Sequence, residues 1–540
     1  MQKRIFILFI SFGCAFHSMA QSNTSQTKRL KTFAKLYGFL KYYHPKVAKG
    51  TRNWDQEFLE HLPKVLQTSD RNSLSTLHLK WIESLGTIPK CENCAQKSKE
   101  LYTSIDLNWI KDTTLFNKKL IQKLADIYNN RSQDKNHYVS SGAVKNARIT
   151  NELVYKEYQY PNENYGLLGL VRYWNVIEYF FPYKHLMDQD WDAVLEEMIP
   201  RFRTIPNKEE YQKLLQELVA KLDDSHAWIR FRKNDVKYVP FKVSYINEKL
   251  VVSKFYNKEI AQENQLKLGD IVLKINGIDL ISEVKKKVKY NAGSNPDSRF
   301  IKSSSKVLHG DEQEVRLTIE RDGKVLKLKV KRYNFETFGF RSNAGTPYKV
   351  IENSIGYIDA TRADGKQLLK AFKSFKKMKG IVIDLRGYPN AGFIPLTRYL
   401  NSEKKVFAKS YSPDFKHPGN FTLRKEFYTS RHKKPFLGKV VLLVNDETYS
   451  RAELYAMAVQ AGDNIVTVGN QTVGADGDLV RFEYLEGYLT SMSGNAIVYP
   501  DGSNSQRKGV KIDVEVKPTI AGLKAGKDEL LEKAIEIIQQ

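Results

Sequence analysis

Two hydrophobic rhythms divide the chain. In its first half, aromatic and aliphatic residues recur at helical spacing. Phe33-Ala-Lys-Leu-Tyr-Gly-Phe-Leu-Lys-Tyr-Tyr-His-Pro45 reads as a helix stopped near its proline. The same text returns weakly 137 positions later as Leu170-Val-Arg-Tyr-Trp-Asn-Val-Ile-Glu-Tyr-Phe-Phe-Pro182. At that offset Trp54-Asp55 meets Trp191-Asp192, Leu62-Pro63 meets Ile199-Pro200, and Leu85 meets Leu222. Each copy predicts an aromatic-rich helix, a loop, and a second helix opening at Trp-Asp, with the shared aromatics in a core. The text between residues 100 and 165 is polar and reads as a connector.

From about Val236 to Tyr333 the period shortens to that of strands. Leu266-Lys-Leu-Gly-Asp-Ile-Val-Leu-Lys-Ile-Asn-Gly277 is a strand between glycine turns, and Arg321-Asp-Gly323 marks a hairpin between two further strands. From Ser354 the rhythm is β-α-β. Ile355–Asp359, Gly380–Arg386 and Lys439–Val444 read as strands, the last two apolar enough to be covered on both faces. Helices are expected from Gly365 to Met378 and from Arg451 to Gly462.

Composition narrows the class. A chain of 540 residues with 41% hydrophobic residues builds several packed domains and is neither disordered nor collagen-like. The excess of 86 basic over 61 acidic residues gives a net charge of +25, which favours anionic surfaces such as a cell envelope. No nucleic-acid-binding motif accompanies that charge. Lys3 and Arg4, an apolar run from Ile5 to Phe16, and Ser18-Met19-Ala20 predict a signal peptide cleaved after Ala20, with lipidation at Cys14 as the lesser alternative. The protein is thus expected to be exported, periplasmic or secreted. Cys91-Glu-Asn-Cys94 lacks the second pair that a zinc ribbon needs, leaving a small disulfide or a redox pair.

Candidate chemistry sits at two places. The second helical copy ends in Asp223-Asp224-Ser225-His226, where the first has only Gly86-Thr-Ile-Pro89. Ser450 follows a buried strand and opens a helix, a corner where a hydroxyl is exposed and helix amides face developing negative charge. Ser450-Arg-Ala-Glu453 also reads as a capping box.

The order of these segments carries more than any one of them. A Ser-His end, Leu-x-Leu-Gly-Asp-x-Val-Leu-x-Ile-Asn-Gly, Asp384-Leu-Arg-Gly-Tyr-Pro, Val-Leu-Leu-Val-Asn-x-x-Thr-x-Ser450-x-Ala-Glu453 and Gly509-Val-x-x-Asp513 come in sequence. Over residues 165–540 this resembles the carboxy-terminal processing (tail-specific) and tricorn-core serine peptidase family. The resemblance implies an α/β fold with a ClpP/crotonase-like β-α-β peptidase core, a PDZ-like β module and an associated helical region. The organisation expected is a signal peptide at 1–20, helical regions at 21–150 and 151–235, the PDZ-like module at 236–335 and the peptidase core at 346–540.

Residue by residue, the resemblance implies Ser450 as nucleophile, with the backbone amides of Arg451 and Asn390 as oxyanion donors. Asn390-Ala391 stands where relatives carry a glycine pair. Ala475 stands where tail-specific members carry a catalytic lysine, so the tricorn-like base, His226 assisted by Ser225, takes its place. Gln506 occupies the site of the orienting carboxylate; it can fix a tautomer but cannot stabilise an imidazolium by charge. No metal and no cofactor are implied. The function expected is an exported serine peptidase acting on peptide or protein substrates. The alternative is a peptidase-fold protein that binds peptides or a hydrophobic ligand with little or no turnover.

Overall fold

The computed structural model describes residues 25–157, 162–231, 236–338, 346–390 and 392–540. The leader, with Cys14 and Ala20, and Ala391 lie outside the described residues. Among those residues no helix is long and apolar enough to cross a membrane. The chain forms two compact units. One comprises residues up to Leu218 with Ser412–Thr422 and Val480–Thr490, the other Val219–Tyr411, Leu423–Leu479 and Ser491–Gln540. The Ser225-His226 segment therefore belongs to the second unit.

The first unit is built on the repeat. Helix 25–43 and helix Glu163–Phe180 end just before their prolines or the residue ahead of them, and helices Trp54–Gln67 and Trp191–Arg203 open at the paired tryptophans. Asn53 and Asp190 cap these openings by accepting from Gln56 N and Ala193 N. In each copy the opening indole donates to the carbonyl seventeen residues earlier: Trp54 to Tyr37 O and Trp191 to Trp174 O, both at 3.1 Å. The copies then exchange charges. Arg172 binds Asp55 at 3.1 Å, and the counterparts Lys35 and Asp192 pair at 2.5 Å. Tyr42 packs on its own equivalent Tyr179 with ring centroids 4.8 Å apart. Reciprocal contacts of this kind define a local two-fold relation, as in an isologous dimer interface.

The stretch expected to be a connector contributes to this unit's core. Helix Lys118–Asn129 buries Leu120, Leu124 and Ile127, and Ile110 and Phe116 are also buried. Few apolar residues at the right spacing suffice when the rest of the helix faces solvent. Cys91 and Cys94 form a disulfide.

The second unit contains two six-stranded sheets. In one, Ile355–Asp359, Gly380–Asp384, Lys439–Val444, Ile465–Gly469 and Val514–Glu515 run parallel, and Tyr348–Ile351 adds an antiparallel edge. Helices Gly365–Ser374 and Arg451–Gln460 cover one face with a core including Leu368, Phe372, Tyr455 and Val459. Helix Glu529–Gln539 covers the other through Leu530, Ala534, Ile537 and Ile538. Both faces of Gly380–Asp384 are buried, which is why that strand reads as a continuous apolar run. The fold is α/β.

The other sheet is antiparallel, in the order Lys324–Lys331, Glu314–Arg321, Ile271–Ile275, Lys249–Phe255 and Phe241–Ile246, with Ile278–Asp279 beside Ile271–Ile275. Helix Pro296–Leu308 belongs to the same region, and Leu308 joins the sheet's core.

Candidate active site

Two loops at the carboxyl ends of the parallel strands, and the start of the last helix, are pinned together by side chains of the sequence motifs. Asp384 closes its strand by accepting from Tyr357 Oη at 2.8 Å, and the Arg386 guanidinium is held between Asp384 and Asp528. Thr448 Oγ donates to Leu385 O at 2.9 Å and accepts from Asn445 N at 3.0 Å. The loop leading to Ser450 is thereby tied to the Asp-Leu-Arg loop. A cleft of about 520 Å³ opens beside them, lined among others by Asp359, Asp384, Arg386, Asn445 and Glu447.

Ser450 stands at the corner between strand Lys439–Val444 and helix Arg451–Gln460, with φ 56° and ψ −113°. A non-glycine residue in that region stores strain of about 1–3 kcal/mol, which the surroundings must hold in place. Glu453, fully buried one turn into the helix, does so. Its carboxylate accepts from Ser450 N at 3.1 Å, Thr472 Oγ at 2.6 Å, Gly474 N at 2.7 Å and Ala475 N at 3.0 Å. Burial nevertheless pushes its pKa up to about 7. The backbone amide of Arg451 has no hydrogen-bond partner among the described residues, and its guanidinium lies over the exposed ring of Tyr388, 5.3 Å from the centroid.

His226 arrives from the segment after helix Lys208–Ala220. Its Nε2 lies 3.0 Å from Ser450 Oγ, and its ring lies against Tyr449 with centroids 5.0 Å apart. Burial lowers the imidazole pKa, the Asp224 carboxylate raises it, and the Lys302 ammonium lowers it. Lys302 is itself pushed down to about 8, chiefly by burial, and reaches Ala227 O at 3.4 Å.

The other residues singled out in the sequence fall elsewhere. Gln506 does not meet the imidazole: its Oε1 accepts from Asp476 N at 3.1 Å and its Nε2 donates to Asp224 at 3.3 Å. Nδ1 of His226 instead meets Ser493 Oγ at 2.8 Å. Ser225 turns the opposite way from His226. It exchanges two hydrogen bonds with Ser294, each 2.8 Å, and its hydroxyl lies 3.4 Å from that of Ser298. The reason is local: Asp224 accepts from the His226 backbone amide, and the short turn sends consecutive side chains apart. Asn390 is exposed, its side-chain amide donating to Arg362 O at 3.2 Å. Ala475 is fully buried. The residues that sequence reasoning passed over are Asp224 and Ser493; an aspartate two positions before the histidine was the one visible signal.

Residues 354–516 match peptidase family S41. The carboxy-terminal processing protease CtpA of Bacillus subtilis (strain 168) is 24% identical over 255 residues, covering 44% of this chain and 53% of that one. The chain thus spans about half the length of this curated relative. Mature CPAF complexed with lactacystin superposes with a TM-score of 0.56 at 12% identity, covering 70% of this chain and 98% of that one. The CPAF s499a mutant gives the same figures. These structures share the fold. Residues 354–516 thus carry the sequence pattern of peptidase family S41, and the chain is similar there to a carboxy-terminal processing protease.

Proposed function

We propose that this protein hydrolyses peptide bonds through an acyl-enzyme on Ser450, with His226 as base. The observation that carries the reading is the 3.0 Å approach of His226 Nε2 to Ser450 Oγ, between residues 224 positions apart, at a strained strand-to-helix corner. Ser450 Oγ attacks the carbonyl carbon as its proton passes to Nε2. The oxyanion takes the amide of Arg451 and a second amide from the loop after Asp384-Leu-Arg, at Asn390. As the C–N bond breaks, Nε2 returns the proton to the leaving amine, and water then releases the acyl group by the reverse sequence.

The finer parts of the reading follow from the same sequence. The substrate is a peptide or protein chain, and the antiparallel β module around Lys249–Phe255 is PDZ-like. The basic leader and Ala20 support export to the periplasm or beyond, and the net charge of +25 supports contact with an anionic envelope surface. The test is peptide cleavage by the purified chain, read by mass spectrometry. Ser450→Ala abolishes it while leaving folding nearly intact. A wild type that binds peptides without cutting them makes the protein a binder on a peptidase fold.

A further inference from the structure

Resting on that reading, we infer that Asp224 and Ser493 set the proton on His226: Asp224 fixes the direction of the Ser493 hydroxyl, and that hydroxyl fixes the tautomer of the imidazole. Asp224 and Ser493 are both fully buried. The Asp224 carboxylate can only accept. It accepts from Ser493 N at 2.7 Å, Ser493 Oγ at 3.0 Å, His226 N at 3.0 Å and Gln506 Nε2 at 3.3 Å. Ser493 has one hydroxyl proton, and Asp224 takes it. Toward His226 Nδ1, 2.8 Å away, the hydroxyl then offers a lone pair. The ring must carry its proton on Nδ1, which leaves the Nε2 lone pair facing Ser450 Oγ.

The supporting residues fit this order. Strand Leu489–Ser493 places Ser491 and Ser493 on the same face, and Ser491 Oγ donates to His226 O at 2.6 Å. The backbone and ring of His226 are thus both held from one strand. Gln506 holds Asp224 rather than His226, because its carbonyl oxygen is already occupied by the Asp476 amide. During acylation the Ser450 proton moves to Nε2 while the Nδ1 and Ser493 protons stay in place. The imidazolium so formed is stabilised by the Asp224 charge across one hydroxyl, and no proton reaches Asp224. A carboxylate role that the motif position at Gln506 lacks is supplied by Asp224, which Gln506 itself contacts. Asp224 and Ser493 are positioning residues, since both act through His226.

The test combines ¹⁵N-histidine NMR of the whole chain near pH 7.5 with kinetics, the His226 signal being identified by its loss in His226→Gln. The wild type shows the Nδ1–H tautomer, and Ser493→Ala loses that preference while kcat/KM falls at least about 100-fold with KM little changed. Asp224→Asn produces a similar loss, and the double variant is no slower than the worse single one, because the two act in series. An Nε2–H tautomer in the wild type, or losses that multiply in the double variant, overturns the inference. A wild type with the Nδ1–H tautomer and no turnover upholds it while rejecting the peptidase reading.

Discussion

Gly38 lies against Asn175, its own counterpart in the second helical copy: a Cβ built on Gly38 would stand 1.6 Å from Asn175 Oδ1. Asn175 is committed to that place, donating through Nδ2 to Ala34 O at 3.0 Å and Val171 O at 2.8 Å. The glycine lets two helices of the repeat cross closely where their equivalent residues meet.

Gly38→Ala is therefore expected to destabilise the protein by about 1–3 kcal/mol despite alanine's better helix propensity, because overpacking outweighs the gain of about 1 kcal/mol. Urea unfolding measures it. Asn175→Ala in the same chain should restore part of the loss.

Acid should weaken the first unit. His44 and His78 are fully buried, and among the described residues neither ring nitrogen of either has a hydrogen-bond partner. Burial, the main cause, holds them at about 4 and about 3 respectively. In the unfolded chain both titrate near 6.5. Between about pH 6.5 and those values the unfolded state binds more protons, so stability falls as pH falls, by about 2–3 kcal/mol per histidine near pH 4.5. Stability curves at pH 7.5, 6 and 5 should show the decline, and His78→Leu should flatten it.

Activity has a separate pH dependence. In the proposed mechanism His226 must be neutral to accept the Ser450 proton, and burial holds its pKa below the ordinary value. The kcat/KM profile should rise along a limb below about 6.5 and then level off. Lys302→Met removes a positive charge that depresses the imidazole, so the limb should move to higher pH. A limb left unmoved by that change would show that Lys302 does not act on the base.

Gln506→Glu is expected to destabilise the site rather than complete a triad. The new carboxylate would replace an amide that donates to Asp224 at 3.3 Å, placing two acceptors face to face. Like charges so close cannot both stay ionised without cost. The melting temperature should fall more at pH 8 than at pH 5.5, where one of the pair takes up a proton. An equal or higher melting temperature at pH 8 would contradict this.

The parts of the fold that repeat or alternate were readable in the sequence. The 137-residue offset gave both tryptophan openings, and the apolar run before Asn445 placed Ser450 at a strand-to-helix corner. The motif order brought His226 and Ser450 into one candidate site. What could not be read depends on side-chain direction across long separations. Ser493 lies 267 positions from His226 in a strand whose text, Leu-Thr-Ser-Met-Ser, carries no chemical mark. Gln506 was placed by its motif position, yet a hydrogen bond to the Asp476 amide turns its oxygen away from His226. Lys118–Asn129 was passed over because its few buried positions are diluted among lysines and polar residues.

The most direct test of the central claim is covalent labelling of the purified chain by a serine-directed phosphonate, located by peptide mass spectrometry. The account predicts one modified residue, Ser450, with labelling abolished in Ser450→Ala and strongly slowed in His226→Ala. Labelling that persists in Ser450→Ala, or that proceeds at the wild-type rate without His226, would contradict it.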